Sequence, residues 1–207
     1  KASATGDPSQ VATAAKAVEA VRELLKASSR TSALAPVTVV IAEDTTNKMT
    51  NPAFMYSTWN NGWTASIIVA SENKDPQYIL FGDTSAMLQS STPGAGALFT
   101  QSINVGNTNT HTISYFIKRE DGGAVLSSTA RIWYGGTITP DAVVSLGNGW
   151  YRVYADVTGV NAATDTGIQL PGNTFTHFVD GVQIEQKSVP TPFVYGDLLG
   201  CTWAGTK

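Results

Sequence analysis

The stretch WYRVYADV, residues 150–157, decides the fold class of this chain. Its apolar side chains recur at every second position: Tyr151, Val153, Ala155 and Val157. Successive side chains of a β-strand point to opposite faces, so this period of two indicates a strand with one buried face. Residues 111–118 show the same alternation, with Ile113, Tyr115 and Ile117 on one face. The two segments together predict a sheet that packs on a core.

Short runs of the same character continue along the chain, and turn residues separate them. The predicted strands are residues 37–42, 66–70, 78–81, 97–105, 112–118, 125–133, 150–157, 167–170 and 175–185. Clusters such as Asn107-Thr108-Asn109 and Gly147-Asn148-Gly149 supply the turns between them. Many short strands without a helical period predict a mainly β domain, an antiparallel β-sandwich of jelly-roll type, over residues 37–197.

Composition narrows the classes of function. The chain has 207 residues, of which 42% are hydrophobic, enough to bury the core of one sizeable domain. Its net charge is −3 and it has no cluster of Lys and Arg, so we expect no nucleic-acid partner. No apolar run approaches the ~20 residues of a bilayer span, so we expect no membrane partner. Cys201 is the only cysteine, which excludes an internal disulfide.

Residues 1–36 form a separate segment, for which we predict an α-helix and a linker. Asp7 and Pro8 suit a helix start, and residues 9–26 contain no Gly or Pro. Apolar residues recur at alternating spacings of three and four: Val11, Ala14, Val18, Val21 and Leu25. This pattern fits a helix that packs on its own sandwich, or a short coiled-coil stem that joins identical chains, with a trimer favoured.

Several short motifs occur in the order seen in carbohydrate-binding jelly-roll modules of families 4, 9 and 22. They are Asn51-Pro52-Ala53-Phe54, Gly62-Trp63, Tyr115-Phe116-Ile117-Lys118, Gly149-Trp150-Tyr151-Arg152-Val153 and residues 178–185. The closing residues 191–197, with residues 200–206, resemble the version of this module in minor tail and fibre proteins of tailed bacteriophages. We expect residues 198–207 to begin a C-terminal extension of a longer protein.

The resemblance implies a structural calcium as a cofactor. In the family, the Asn-Pro-x-Phe motif is followed by a carboxylate that shares the ion with an Asp of the last long strand. Asp180 matches that Asp, but Met55 stands at the first position, and a thioether is a poor ligand for calcium. Glu43 and Asp44 are the carboxylates that could replace it.

Sugar recognition needs an apolar platform for the C–H face of the ring and polar groups for its hydroxyls. Trp133 and Tyr134, just before Gly135, are the first candidates for a platform, and Trp59 is the second. Arg131 and Gln169 are candidates for the polar contacts. The alternative for each aromatic residue is that it covers the core or a sheet edge.

No motif for catalysis occurs in the sequence, so we predict a protein that is not an enzyme. His111 and His177 fall in or beside strands and have no Cys or carboxylate at metal-ligand spacing. The resemblance implies an extracellular-facing virion component that attaches a phage tail or fibre to a host cell-surface glycan, with other virion tail subunits as partners. Two alternatives remain, a structural or decoration domain without a glycan, and an accessory module of a secreted bacterial glycoside hydrolase.

Overall fold

Alternating segments of the sequence form most of the thirteen β-strands described here. The computed structural model describes residues 45–55, 58–90, 96–171, 175–193 and 201–203, which belong to one compact unit, Ala42–Lys207. The strands are β1 (Thr45–Asn47), β2 (Thr64–Ser66), β3 (Ile68–Asn73), β4 (Ser85–Ser90), β5 (Gly96–Ile103), β6 (Thr110–Arg119), β7 (Arg131–Tyr134), β8 (Thr137–Ile138), β9 (Ala142–Gly147), β10 (Trp150–Thr158), β11 (Thr164–Pro171), β12 (Thr176–Glu185) and β13 (Cys201–Trp203). One turn of 3-10 helix covers Pro76–Tyr78.

Two antiparallel sheets form the sandwich. One has six strands in the order β3-β4-β12-β6-β10-β9, and the other has five in the order β2-β5-β11-β7-β8. A separate parallel pair joins β1 to β13. The prediction of a mainly β, antiparallel sandwich is confirmed. The jelly-roll order arises because strands distant in sequence, such as β4 and β12, are neighbours in the sheet.

The core between the sheets is centred on an aromatic cluster around Phe99. The Phe99 ring lies 4.8 Å from that of Trp63 with an interplanar angle of 13°, and 6.0 Å from that of Phe54. Trp63 therefore packs in the core, as aromatic residues after a turn often do. Tyr115, from the six-stranded sheet, is fully buried and donates its hydroxyl hydrogen to the Arg131 carbonyl at 3.0 Å. This bond ties the two sheets together.

A second aromatic cluster covers the outward face of the six-stranded sheet. It contains Phe116, Trp150 and Phe178 from the strands, with Ala53 and Phe193 from loops. Tyr78 stacks on Phe178 at 3.8 Å, and Phe81 packs edge-on against Phe116 at 4.9 Å. The chain's own loops thus occupy this face.

Asp180 holds in place the loop that carries Leu80 and Phe81, which covers part of this outward face. Its Oδ2 accepts hydrogen bonds from the backbone N–H groups of Leu80 at 2.9 Å and Phe81 at 2.8 Å. Its Oδ1 accepts one from Gly181 at 2.8 Å. Burial raises the pKa of the Asp180 carboxyl to about 7, against the opposing effect of these three donors.

The strand predicted at residues 78–81 was wrong. Asp75 caps the 3-10 turn that precedes these residues by accepting a hydrogen bond from the Gln77 N–H at 3.1 Å. The backbone N–H groups of Leu80 and Phe81 then bond to Asp180 instead of a neighbouring strand. Their hydrogen bonds come from a residue far along the chain, which no local pattern reveals.

Other predicted boundaries also need correction. The strand predicted at residues 125–133 begins only at Arg131, the first residue of β7, because the Leu126 carbonyl accepts turn hydrogen bonds from the N–H groups of Thr129 and Ala130. The run at 66–70 divides at Ile67, whose φ is 57°, so its halves join different sheets. Strands β1, β4, β8, β9 and β13 were not predicted.

The N-terminal predictions concern residues outside the described ones. These are the helix and linker of residues 1–36, the strand at 37–42, and the two carboxylates Glu43 and Asp44. The apolar residues predicted to form the packing face of that helix also lie outside the described residues: Val11, Ala14, Val18, Val21 and Leu25. The coiled-coil stem and the trimer stay predictions.

Candidate functional site

Two of the candidate polar residues lie directly opposite each other on the five-stranded sheet. Arg131 of β7 pairs with Gln169 of β11, and Gln169 pairs in turn with Leu98 of β5. Directly opposed residues of antiparallel strands project to the same face of a sheet. Their chain neighbours Ile132 and Ile168 are buried in the core, so this row points outward.

A second outward row carries the aromatic candidate. Trp133 of β7 pairs with Gly167 of β11, which pairs with Thr100 of β5. Trp133 is two residues from Arg131, so both side chains leave β7 on the same side. We call the outward surface of β5, β11 and β7 the Trp133 face, with five side chains that define it: Leu98, Thr100, Arg131, Trp133 and Gln169.

Glycines shape this face. A Cβ atom on Gly96 would lie 2.8 Å from the Nε2 of Gln169, so the glycine leaves room for that amide. A Cβ on Gly167 would lie 2.3 Å from the Phe99 carbonyl oxygen, which excludes any side chain beside Trp133. Thr100 is only 7% exposed although it points outward. The middle of the Trp133 face is therefore largely shielded from solvent, while the Trp133 ring at its side is partly exposed.

Two buried polar atoms on the Trp133 face have no hydrogen-bond partner, the Nε of Arg131 and the Oε1 of Gln169. Buried polar groups are nearly always satisfied, because each unsatisfied group costs about 1–3 kcal/mol. The Nε of Arg131 is a hydrogen-bond donor and the Oε1 of Gln169 is an acceptor, so together they could bond a ligand that offers both kinds of group. The chemistry fits a polar ligand that brings its own donors and acceptors.

The arrangement places an aromatic ring next to hydrogen-bonding groups. Trp133 offers a partly exposed indole ring for apolar contact, and its cross-strand neighbour Gly167 has no side chain. Gln169 offers an amide, and Arg131 offers a guanidinium. A sugar has an apolar C–H face and a rim of hydroxyls, so it matches such a surface.

The other two aromatic candidates do not lie on this face. Trp59 stacks on the core residue Phe99 at 6.0 Å with an interplanar angle of 21°. Tyr134 alternates with Trp133 along β7 and packs against the main core, and its hydroxyl accepts a hydrogen bond from the Val160 N–H at 2.9 Å. Both side chains are partly exposed and pack against the main core.

The residues that the family motif assigns to calcium do not form a ligand set in the described structure. Both oxygens of Asp180 accept backbone N–H groups. The Met55 side chain lies against Gly82, where a Cβ would be 2.2 Å from its sulfur. Within residues 45–55, 58–90, 96–171, 175–193 and 201–203, no group of three or more His, Cys, Asp and Glu residues is placed to hold a metal.

Comparison with known proteins identifies the fold. No family model and no curated protein matches the sequence. Among solved structures, the N-terminal CBM22-1–CBM22-2 tandem domain of Paenibacillus barcinonensis Xyn10C has a TM-score of 0.50 and 16% identity over 74% of this chain. This chain covers 48% of that domain. The likeness shows the fold, a jelly roll shared with family 22 carbohydrate-binding modules.

Two further structures are similar at lower scores. The enzymatically active domain of bacteriophage CBA120 tailspike protein 4 has a TM-score of 0.46 and 18% identity over 67% of this chain, which covers 21% of it. The C-terminal family 22 carbohydrate-binding module of Clostridium thermocellum Xyn10B has a TM-score of 0.44 and 15% identity, with 67% of this chain and 94% of that one covered.

Among the residues that the structure describes, no helix is long and apolar enough to cross a membrane.

Proposed function

We propose that this protein is a non-catalytic carbohydrate-binding module and that its glycan lies on the Trp133 face. One observation carries the proposal: the partly exposed Trp133 lies beside two outward residues with buried, unpartnered polar atoms, Arg131 and Gln169. Of the two outward sheet faces, that of the six-stranded sheet is occupied by the second aromatic cluster. The Trp133 face is the better surface for a ligand.

We propose further that the module is a component of a phage tail or fibre and faces the host surface. The support is the resemblance of residues 191–197 and 200–206 to tail and fibre proteins. A shallow sugar site binds weakly on its own. Several copies joined through the predicted helix of residues 9–26 would gain avidity by raising the effective concentration. The partners are then a host cell-surface glycan, identical copies and neighbouring tail subunits.

An architectural role is the second candidate, and the edge strand β9 favours it. Val144 and Leu146 on this strand are 44% and 49% exposed, and the strand has no charged residue. Edge strands of this kind suit contact with another chain. In this role the domain packs against a neighbouring tail subunit and binds no glycan.

Replacing Trp133 with alanine tests the carbohydrate proposal. We expect about a 30-fold loss of affinity, because an aromatic anchor in a binding surface contributes about 2 kcal/mol. A printed array of bacterial surface polysaccharides would identify a bound glycan, and calorimetry with that glycan would then compare the variants.

Tyr154→Ala is the matched control. Tyr154 is also partly exposed, but it lies on β10 in the other sheet. Its removal should leave the affinity within twofold of the original. If the array shows no bound glycan, or if both variants bind as well as the original, the carbohydrate proposal is wrong and the architectural role becomes the better account.

A further inference from the structure

The charge on the Trp133 face is unbalanced. Arg131 is the only Lys or Arg in the five strands of its sheet, and Asp165 is the only acidic residue. Asp165 lies four residues from Gln169 along β11, about 13 Å away at the rise of an extended strand. The guanidinium therefore has no counter-charge among the strands around it.

The guanidinium of Arg131 is partly buried and has no hydrogen-bond partner in the described structure. Its Nε is buried without a partner, and none of its nitrogens makes a hydrogen bond or ion pair within the described structure. The two terminal nitrogens are not among the buried unpartnered atoms, so they reach solvent. The side chain thus presents its outer edge while its inner nitrogen is held below the surface.

We propose that the glycan bound by this face carries an oxyanion, a carboxylate or a phosphate ester, that pairs with Arg131. This rests on the proposed carbohydrate function. Two parallel N–H groups of a guanidinium match the two oxygens of such a group. Trp133 lies two residues along β7, about 7 Å away, so one sugar ring stacks on the indole while its acidic substituent reaches Arg131.

Gln169 completes the recognition of the acidic sugar. It lies directly opposite Arg131, and its Oε1 is buried and unpartnered. An amide oxygen accepts a hydrogen bond, so once the side chain turns this oxygen outward it suits a sugar hydroxyl next to the acidic group and not the oxyanion itself. The pair therefore distinguishes an acidic sugar from a free anion.

The test compares matched ligands on the full 207-residue chain. The probes are polygalacturonate oligomers and phosphorylated mannose oligosaccharides, each beside its neutral form, made by carboxyl reduction or phosphate removal, together with the bacterial polysaccharide array. We expect acidic probes to bind at least about 10-fold more tightly than their neutral forms, because a hydrogen bond to a charged group is strong. Binding of the polygalacturonate oligomers would indicate recognition of a carboxylate, and binding of the phosphorylated oligosaccharides would indicate recognition of a phosphate ester.

Variants tie the effect to Arg131. We expect Arg131→Gln to weaken binding of the acidic probe by about 10- to 100-fold, and Arg131→Lys to weaken it less, since the charge stays but the planar fork is lost. Lys74→Gln is the control for overall charge, because Lys74 is exposed and lies beyond the strands of the Trp133 face. The melting temperature of Arg131→Gln should stay close to the original, because the guanidinium has no hydrogen bond in the described structure to lose.

Three results would overturn the proposal in distinguishable ways. Equal binding of acidic and neutral forms, with loss in Trp133→Ala, would keep the carbohydrate function and reject the acidic ligand. Equal weakening by Arg131→Gln and Lys74→Gln would show a general charge effect and also reject it. If no probe and no glycan of the array binds, both the carbohydrate function and the acidic ligand are rejected.

Discussion

Replacement of Phe99 with alanine is expected to lower the free energy of unfolding by about 3–5 kcal/mol. Phe99 is 1% exposed and contacts three aromatic rings, those of Trp63, Phe54 and Trp59. The cavity left by its removal lies beneath the strand that carries Thr100 and Leu98. Domains of this size have a total stability of about 5–15 kcal/mol, so the loss is a large part of it.

Chemical unfolding followed by tryptophan fluorescence measures this loss, since two of the three rings in contact are indoles. Leu126→Ala is the control, because Leu126 is 55% exposed and its truncation should change stability by no more than about 0.5 kcal/mol. A change below about 1 kcal/mol for Phe99→Ala would contradict the packing of the cluster.

The dependence of stability on pH is expected to contain two opposite contributions. Burial raises the pKa of Asp180 from 3.8 to about 7, so the folded protein binds this proton more tightly than the unfolded one. The stability from this group is present at low pH and is lost as the pH rises from about 4 to about 7. The loss is on the order of 4 kcal/mol.

His177 acts in the opposite direction. Burial lowers the pKa of its imidazole from 6.5 to about 4, and its Nε2 is buried without a partner. Burial therefore favours the neutral ring over the charged ring in the folded chain. Stability from this group is therefore present above about pH 6.5 and is lost as the pH falls toward 4, by about 3 kcal/mol.

Single variants should separate the two contributions. Asp180→Asn lacks the stability that the original chain gains from Asp180 on acidification. The stability of this variant relative to the original chain should therefore fall from pH 6.5 to 4.5. His177→Asn avoids the stability that the original chain loses from His177 on acidification. The stability of this variant relative to the original chain should therefore rise over the same interval. Urea unfolding at four pH values between 4.5 and 7.5 measures both slopes. If both variants follow the pH dependence of the original chain, the assigned pKa shifts are wrong.

The sandwich could be predicted because two of its central strands, β6 and β10, alternate between apolar side chains on one face and polar or aromatic side chains on the other. Residues 150–157 and 112–118 alternate clearly, and β10 and β6 pair along their full length. Strand β9 was missed because its residues are half-buried or exposed on both faces, which leaves little periodicity. The loop at residues 78–81 was assigned wrongly because its backbone bonds to Asp180.

The candidate site was only partly predictable, because it depends on the pairing of strands that are distant in sequence. A spacing of two residues is enough to place Arg131 and Trp133 on one face of a strand. Their pairing with Gln169 and Gly167 depends on strand β11, which comes later in the chain and joins through sheet topology. Trp59 resembled an exposed loop aromatic, but its partner Phe99 belongs to the core. Long-range packing decides such cases.

The most direct test of the central claim is a two-dimensional NMR titration of the labelled protein with a glycan identified on the array. We predict that the largest changes occur at backbone amides of Arg131–Tyr134 and of neighbouring β5 and β11, and at the indole N–H of Trp133. Amides around Tyr154, on the other sheet, should stay unchanged. Changes centred on the outward face of the six-stranded sheet, with the Trp133 signal unmoved, would contradict the assignment of the Trp133 face as the carbohydrate-binding surface.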